Sequence, residues 1–145
     1  MIVDVRPTRV GSVEMTYEVF CSNEGKTPGR ILDCKEGFCF VTAPDDLAIK
    51  DTDYHPVVMP VPSLKANKQG FSVRLINPDQ MWKDRKIKTS EKFIMVFGYV
   101  LYEDTFPSGK DGTFGKHETH RCFAYHPDGS RVFTPSGPNE YTKNT

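Results

Sequence analysis

One stretch, KFIMVFGYVLYED at 92–104, limits the possible folds more than any other. On an extended chain, Ile94, Val96, Val100 and Tyr102 share one face, while Phe93, Met95, Phe97 and Leu101 share the other. A strand that is apolar on both faces belongs in the middle of a sheet. Its neighbours alternate. In SVEMTYEVFC (12–21), Val13, Met15, Tyr17, Val19 and Cys21 lie on one face and Ser12, Glu14, Thr16 and Glu18 on the other, the period of two of a half-buried strand. A shorter strand, IVDVR, precedes it. RILDCKEGFCFV (30–41) is rich in strand formers, with Gly37 expected as a bulge. FSVRLI (71–76) and HETHRCFAYH (117–126) complete the set, and the turn HPDGS leads back into RVF.

Eleven glycines and eleven prolines cut the chain into short pieces. Four of the prolines, Pro44, Pro56, Pro60 and Pro62, fall within 43–70, so HPVVMPVPS is at most an edge strand or an extended loop. Asn77 followed by Pro78 reads as a helix start. One short helical turn is expected at 78–84, with Met81 and Trp82 facing inward. Six to eight short strands with at most one short helix predict an all-β, immunoglobulin-like antiparallel β-sandwich. A length of 145 residues suits a single domain over 1–145.

Lys plus Arg equals Asp plus Glu, at 19 each, so no net field draws in nucleic acid or an anionic membrane. The most basic stretch, WKDRKIKTSEK, is interrupted by Asp84 and Glu91 and reads as a solvated face. No apolar run reaches the roughly 18–20 residues of a spanning helix, and no signal peptide opens the chain. A soluble domain is the expectation. Cys21, Cys34, Cys39 and Cys122 fall in strand-like segments without CxxC spacing. They read as buried reduced thiols, which leans towards a reducing, cytoplasmic-side compartment.

The Gly-Lys-Thr in FCSNEGKTPGR (20–30) raises the question of a phosphate loop. That motif needs a glycine five residues before Gly25, where Phe20 stands, and a helix after Thr27, where Pro28 and Gly29 stand. No nucleotide site is expected. SNEGKTPG instead reads as a loop between two antiparallel strands, with Asn23 and Gly25 supplying positive φ and Pro28 setting the exit.

KHETHRCFAYH places His117, His120, Cys122 and His126 within ten residues, all of them zinc-ligand types. Alternation puts His120, Cys122 and His126 with Glu118 on one face, and His117 with Thr119 and Arg121 on the other. His126 lies about 20 Å along the strand from His120. A metal centre would therefore draw on His120 and Cys122, with His117 and His55 as the remaining candidates. No G-x-S-x-G elbow is present, and no cysteine opens a helix. Asp45, Asp46, Asp51 and Asp53 lack calcium-loop spacing and read as a solvated loop.

Taken together, NEGKTPG after a strand, then FGYVLYEDTF, a loop and HETHRCF resemble an uncharacterised bacterial family. Its recurring pattern is N-x-G-K-T-P-A, G-x-x-x-Y-x-D-x-F and H-x-T-x-F-C-aromatic. Asn23, Gly25, Lys26, Thr27 and Pro28 match the first motif. Gly98, Tyr102, Asp104 and Phe106 match the second, and His117, Thr119, Cys122 and Phe123 the third. Gly29, Arg121 and the long loop 107–116 depart from it. The resemblance spans about residues 12–134. It implies a soluble β-sandwich that in many members follows one or two N-terminal membrane helices and a helical stalk, so that any membrane contact would run through a segment outside this chain. It implies no known activity and no catalytic residues, and Met1 need not be the natural start.

Tyr102 and Asp104 share a strand face, and Asp104 ends the strand where His117 or Thr119 could donate to it. Asp104, His117 and Thr119 are thus expected to form a structural polar latch. The functional expectation is a non-enzymatic module that binds an unknown protein or small ligand, without a cofactor, through HPVVMPVPSL or the loop 107–116. The alternative is a zinc-dependent enzyme using His117, His120, Cys122 and His55, and a third reading is a structural spacer.

Overall fold

The computed structural model describes residues 2–7, 16–57, 63–65, 69–85, 90–107 and 109–142. The strands are β1 (Ile2–Pro7), β2 (Tyr17–Asn23), β3 (Gly29–Val41), β4 (His55–Pro56), β5 (Ser63–Leu64), β6 (Gln69–Ile76), β7 (Phe93–Asp104), β8 (Lys116–Tyr125) and β9 (Thr134–Pro135), with one helix, α1 (Pro78–Asp84). One antiparallel sheet has the order β1-β2-β6. The other runs β4-β3-β7-β8-β9, with β5 also on β3. The chain is all-β and sandwich-like. Residues 12–15 and 58–62, parts of two expected strand or loop segments, lie outside the described residues.

The sheets face each other across one core. Val3, Val5, Val19, Cys21 and Phe71 meet Ile31, Cys34, Ile94, Val96, Val100 and Phe123 there. The other face of the larger sheet is covered as well. Met95, Phe97, Cys122 and Ala124 form a second cluster beneath Leu47, Ile49, Tyr54 and Tyr141. This double cover explains the apolar character of both faces of β7, which sits between β3 and β8 as expected.

Two glycines mark close approaches. A Cβ at Gly98 would lie 2.7 Å from Cγ1 of Val3, so glycine lets the opposing sheet seat its valine against β7. Gly37 is not a bulge. It pairs with Phe97 in unbroken register, and the β3 irregularity lies between Ile31 and Asp33. A Cβ at Gly37 would collide with the Asp53 carbonyl oxygen and lie 2.6 Å from the Phe97 ring. The small residue thus admits the covering loop rather than an extra strand residue.

At the far end, the Asn77 side chain accepts from the Gln80 amide at 3.1 Å and caps α1, with Pro78 in the first turn. Met81 and Trp82 pack partly buried against the core, as the sequence predicts. Among the described residues no helix is long and apolar enough to cross a membrane.

Candidate functional site

The ends of β2 and β7 and the starts of β3 and β8 meet at one end of the sandwich. There Asn23, Gly25, Thr27, Pro28, Gly29, Tyr102, Asp104 and His117 line a cleft of about 180 Å³. These residues come from the loop after β2 and, much later in the sequence, from the β7–β8 hairpin, the segments that carry the resemblance.

The first wall is the loop after β2. Asn23 is buried, and its side chain holds the loop together. Its Oδ1 accepts from the Gly25 amide at 3.0 Å, while its Nδ2 donates to the Thr27 carbonyl at 2.8 Å and the Leu64 carbonyl at 3.2 Å. The expectation of positive φ at Asn23 and Gly25 is corrected. Among the described residues, positive φ occurs at Gly112, Arg131 and Gly137. A side-chain turn does the work assigned to left-handed backbone. Nor is the loop a hairpin, since β2 and β3 belong to different sheets and it crosses from one to the other. It leads from strand to strand, with no helix to complete a phosphate cradle.

The second wall is a polar strip. Asp104 Oδ2 lies 3.1 Å from Nε2 of His117, with side chains 29% and 33% exposed respectively. The His117 ring stacks on Tyr102 with centroids 5.1 Å apart and planes at 28°. The Tyr102 hydroxyl is hydrogen-bonded to the fully buried Thr119. Burial pushes the Tyr102 phenol above its ordinary pKa; the Thr119 bond opposes this and the Asp104 charge adds to it. Register sets the order, with Tyr102 opposite His117 and Val100 opposite Thr119. Thr119 is thus about four strand positions, or roughly 13 Å, from Asp104. The expected three-residue latch is in fact a four-residue strip in which Tyr102 connects Thr119 to the His117–Asp104 pair.

Asp104 also borders two further depressions. One, of about 290 Å³, is lined by Arg30, Glu103, Thr105 and Phe114; the other, of about 200 Å³, by Thr27, Phe106 and Pro107. Phe106 is 64% and Phe114 46% exposed. Arg30 is held by an ion pair with buried Glu103, so of the carboxylates lining these depressions Asp104 is the part-exposed one. Arg30 and Phe114 carried no sequence signal of their own, because only the β3–β7 register and the return of the chain into β8 bring them beside Asp104. The loop 107–116 contributes Phe114 and the Gly115 carbonyl, which accepts from the Asp104 amide at 2.9 Å.

The metal candidates do not converge. His120 faces outward against Tyr99, with rings 4.8 Å apart and Nε2 3.3 Å from Glu118. Cys122 is sealed in the outer cluster, and burial pushes its thiol up to about 12. His117 points to the opposite face. His55 lies exposed on β4, with β3 and β7 between it and β8, roughly 14 Å away by strand spacing. Among the described residues no group of three or more His, Cys, Asp or Glu side chains is placed to hold a metal. The other candidate surface, HPVVMPVPSL, contributes the short edge strands β4 and β5 beside β3.

No family model matches this sequence, and no curated protein or solved structure is significantly similar to it.

Proposed function

We propose that this protein is a non-enzymatic binding module whose recognition end is the cleft around Asp104. The observation that carries this reading is the meeting of the loop after β2 with the β7–β8 hairpin at one open, partly polar cleft, next to two depressions that share Asp104 and are lined by exposed Phe106 and Phe114. A carboxylate and an imidazole are held in place there, while aromatic rings supply anchoring area. The same convergence supports the resemblance to the bacterial, often membrane-tethered family, because residues of all three motifs, among them Asn23, Thr27, Tyr102, Asp104 and His117, line this one cleft. The strand order supports the immunoglobulin-like reading too. The first, second and fourth long strands share one sheet and the third, fifth and sixth the other, as in a sandwich of that type lacking one edge strand.

Purified native protein, analysed by chemical cross-linking and native mass spectrometry, tests the proposal against two variants. F106S/F114S alters the rim, whereas L75S alters an equally exposed apolar residue (67%) on β6, in the other sheet. Loss of the bound species in the rim variant alone is the expected outcome. Equal retention in both variants would overturn the reading.

A further inference from the structure

We infer, resting on that proposed binding role, that the site takes an extended peptide segment presenting an arginine or lysine side chain to Asp104, flanked by apolar residues. Asp104 walls all three adjoining depressions, so a group reaching its carboxylate has neighbouring space on either side. The carboxylate is 29% exposed, has one oxygen 3.1 Å from His117 Nε2, and shares the lining of its three depressions with Tyr102, Phe106 and Phe114. A part-exposed carboxylate with aromatic side chains around it is the chemistry that recognises a guanidinium or ammonium, through charge-assisted hydrogen bonds and cation–π attraction. Among the described residues, Arg30 is the guanidinium that lines these depressions, and it is already engaged by Glu103. The three depressions, of about 180, 290 and 200 Å³, offer more room than a small amine fills. Phe106 and Phe114 provide two apolar anchors for the residues on either side of the cation.

The test uses the full chain, ¹⁵N-labelled, titrated with four probes: the capped peptides Ac-GLFRFLG-NH2 and Ac-GLFQFLG-NH2, the polar-flanked Ac-GSGRGSG-NH2, and n-butylguanidinium. The expected result is that the first peptide shifts the amides of residues 23–27, 29, 102–106 and 114–119. It should bind at least about tenfold more tightly than the glutamine peptide, as one charge-assisted hydrogen bond implies. The polar-flanked peptide and n-butylguanidinium should be weaker by a similar factor. D104N should abolish the discrimination between arginine and glutamine. F106S, at an exposed position that leaves the fold intact, should weaken both apolar-flanked peptides about equally.

Equal binding of the arginine and glutamine peptides at the cleft would overturn the cation assignment while leaving the binding role standing. Binding of n-butylguanidinium as tight as that of the first peptide would replace the peptide with a small amine. Absence of any shift at the cleft would overturn this inference, and the rim-variant comparison above judges the binding role separately.

Discussion

Single residues decide how the two sheets are held together. Glu36 lies on the inner face of β3, and its carboxylate is gripped by Arg74 of β6 at 3.2 and 3.4 Å, joining the sheets through the core. The partners are unequal: the Glu36 side chain is 10% exposed and that of Arg74 34%. If glutamate is lost, Arg74 can turn to water while keeping its stack on Phe38, 5.0 Å away. If arginine is lost, the carboxylate stays in a largely dry position without its counter-charge. Arg74→Met should therefore destabilise by about 3 kcal/mol and Glu36→Ala by roughly 1 kcal/mol. Urea denaturation of both variants checks this, and an equal or larger cost for Glu36→Ala would refute it. The partnership of Glu36 and Arg74 was not legible in the sequence, because it depends on which sheets oppose each other. Asn23 shows the same limit: its sequence context announced a turn, yet three backbone partners, one of them Leu64, became visible only once β5 lay alongside.

Among the elements, those with strong periodicity were legible and those governed by neighbours were not. β7 and β8 run close to their predicted limits, because burial on both sides and alternation each leave a local pattern. α1 is where its cap and proline signal it. Gly37 misled because a strand glycine can serve a bulge or a close approach, and only the position of the Asp53 carbonyl distinguishes them. The helix itself is held at several points. Besides its cap, Asp79 accepts from the Tyr125 hydroxyl at 3.1 Å and from Arg131 at 2.8 Å, and Arg131 adopts φ 54°. Asn77→Ala should lower stability by about 1 kcal/mol, or about 2–4 °C in Tm, with the fluorescence of the single tryptophan, Trp82, unchanged. A red shift of that emission would show that the cap, and not the packing of Met81 and Trp82 with the Asp79 contacts, docks the helix.

Across the whole molecule, buried acids of the weak kind set the response to alkali. Burial pushes Cys21, Cys34 and Cys122 from 9.0 up to about 12, and Cys39 to about 11. It moves Tyr54 from 10.0 to about 12. In each case the folded state holds its proton more tightly than the unfolded chain. The contribution is fully present below about pH 9 and is lost as pH rises towards 12. The urea midpoint should stay level between pH 7 and 8.5 and fall steadily from pH 9 to 11. A level midpoint through pH 11 would contradict this.

The sequence by itself determined the strand class, the central position of β7, the capped helix and the face on which each β8 side chain lies. These follow from local periodicity and capping chemistry. The tertiary structure alone decided which strands share a sheet, what covers the outer face of β7, and that Asn23, Tyr102, Asp104 and His117 line one cleft while His55, His120 and Cys122 stay apart. The physical reason is that alternation specifies which way a side chain points but carries no term for the strand opposite. That partner is selected by burial summed over the whole core.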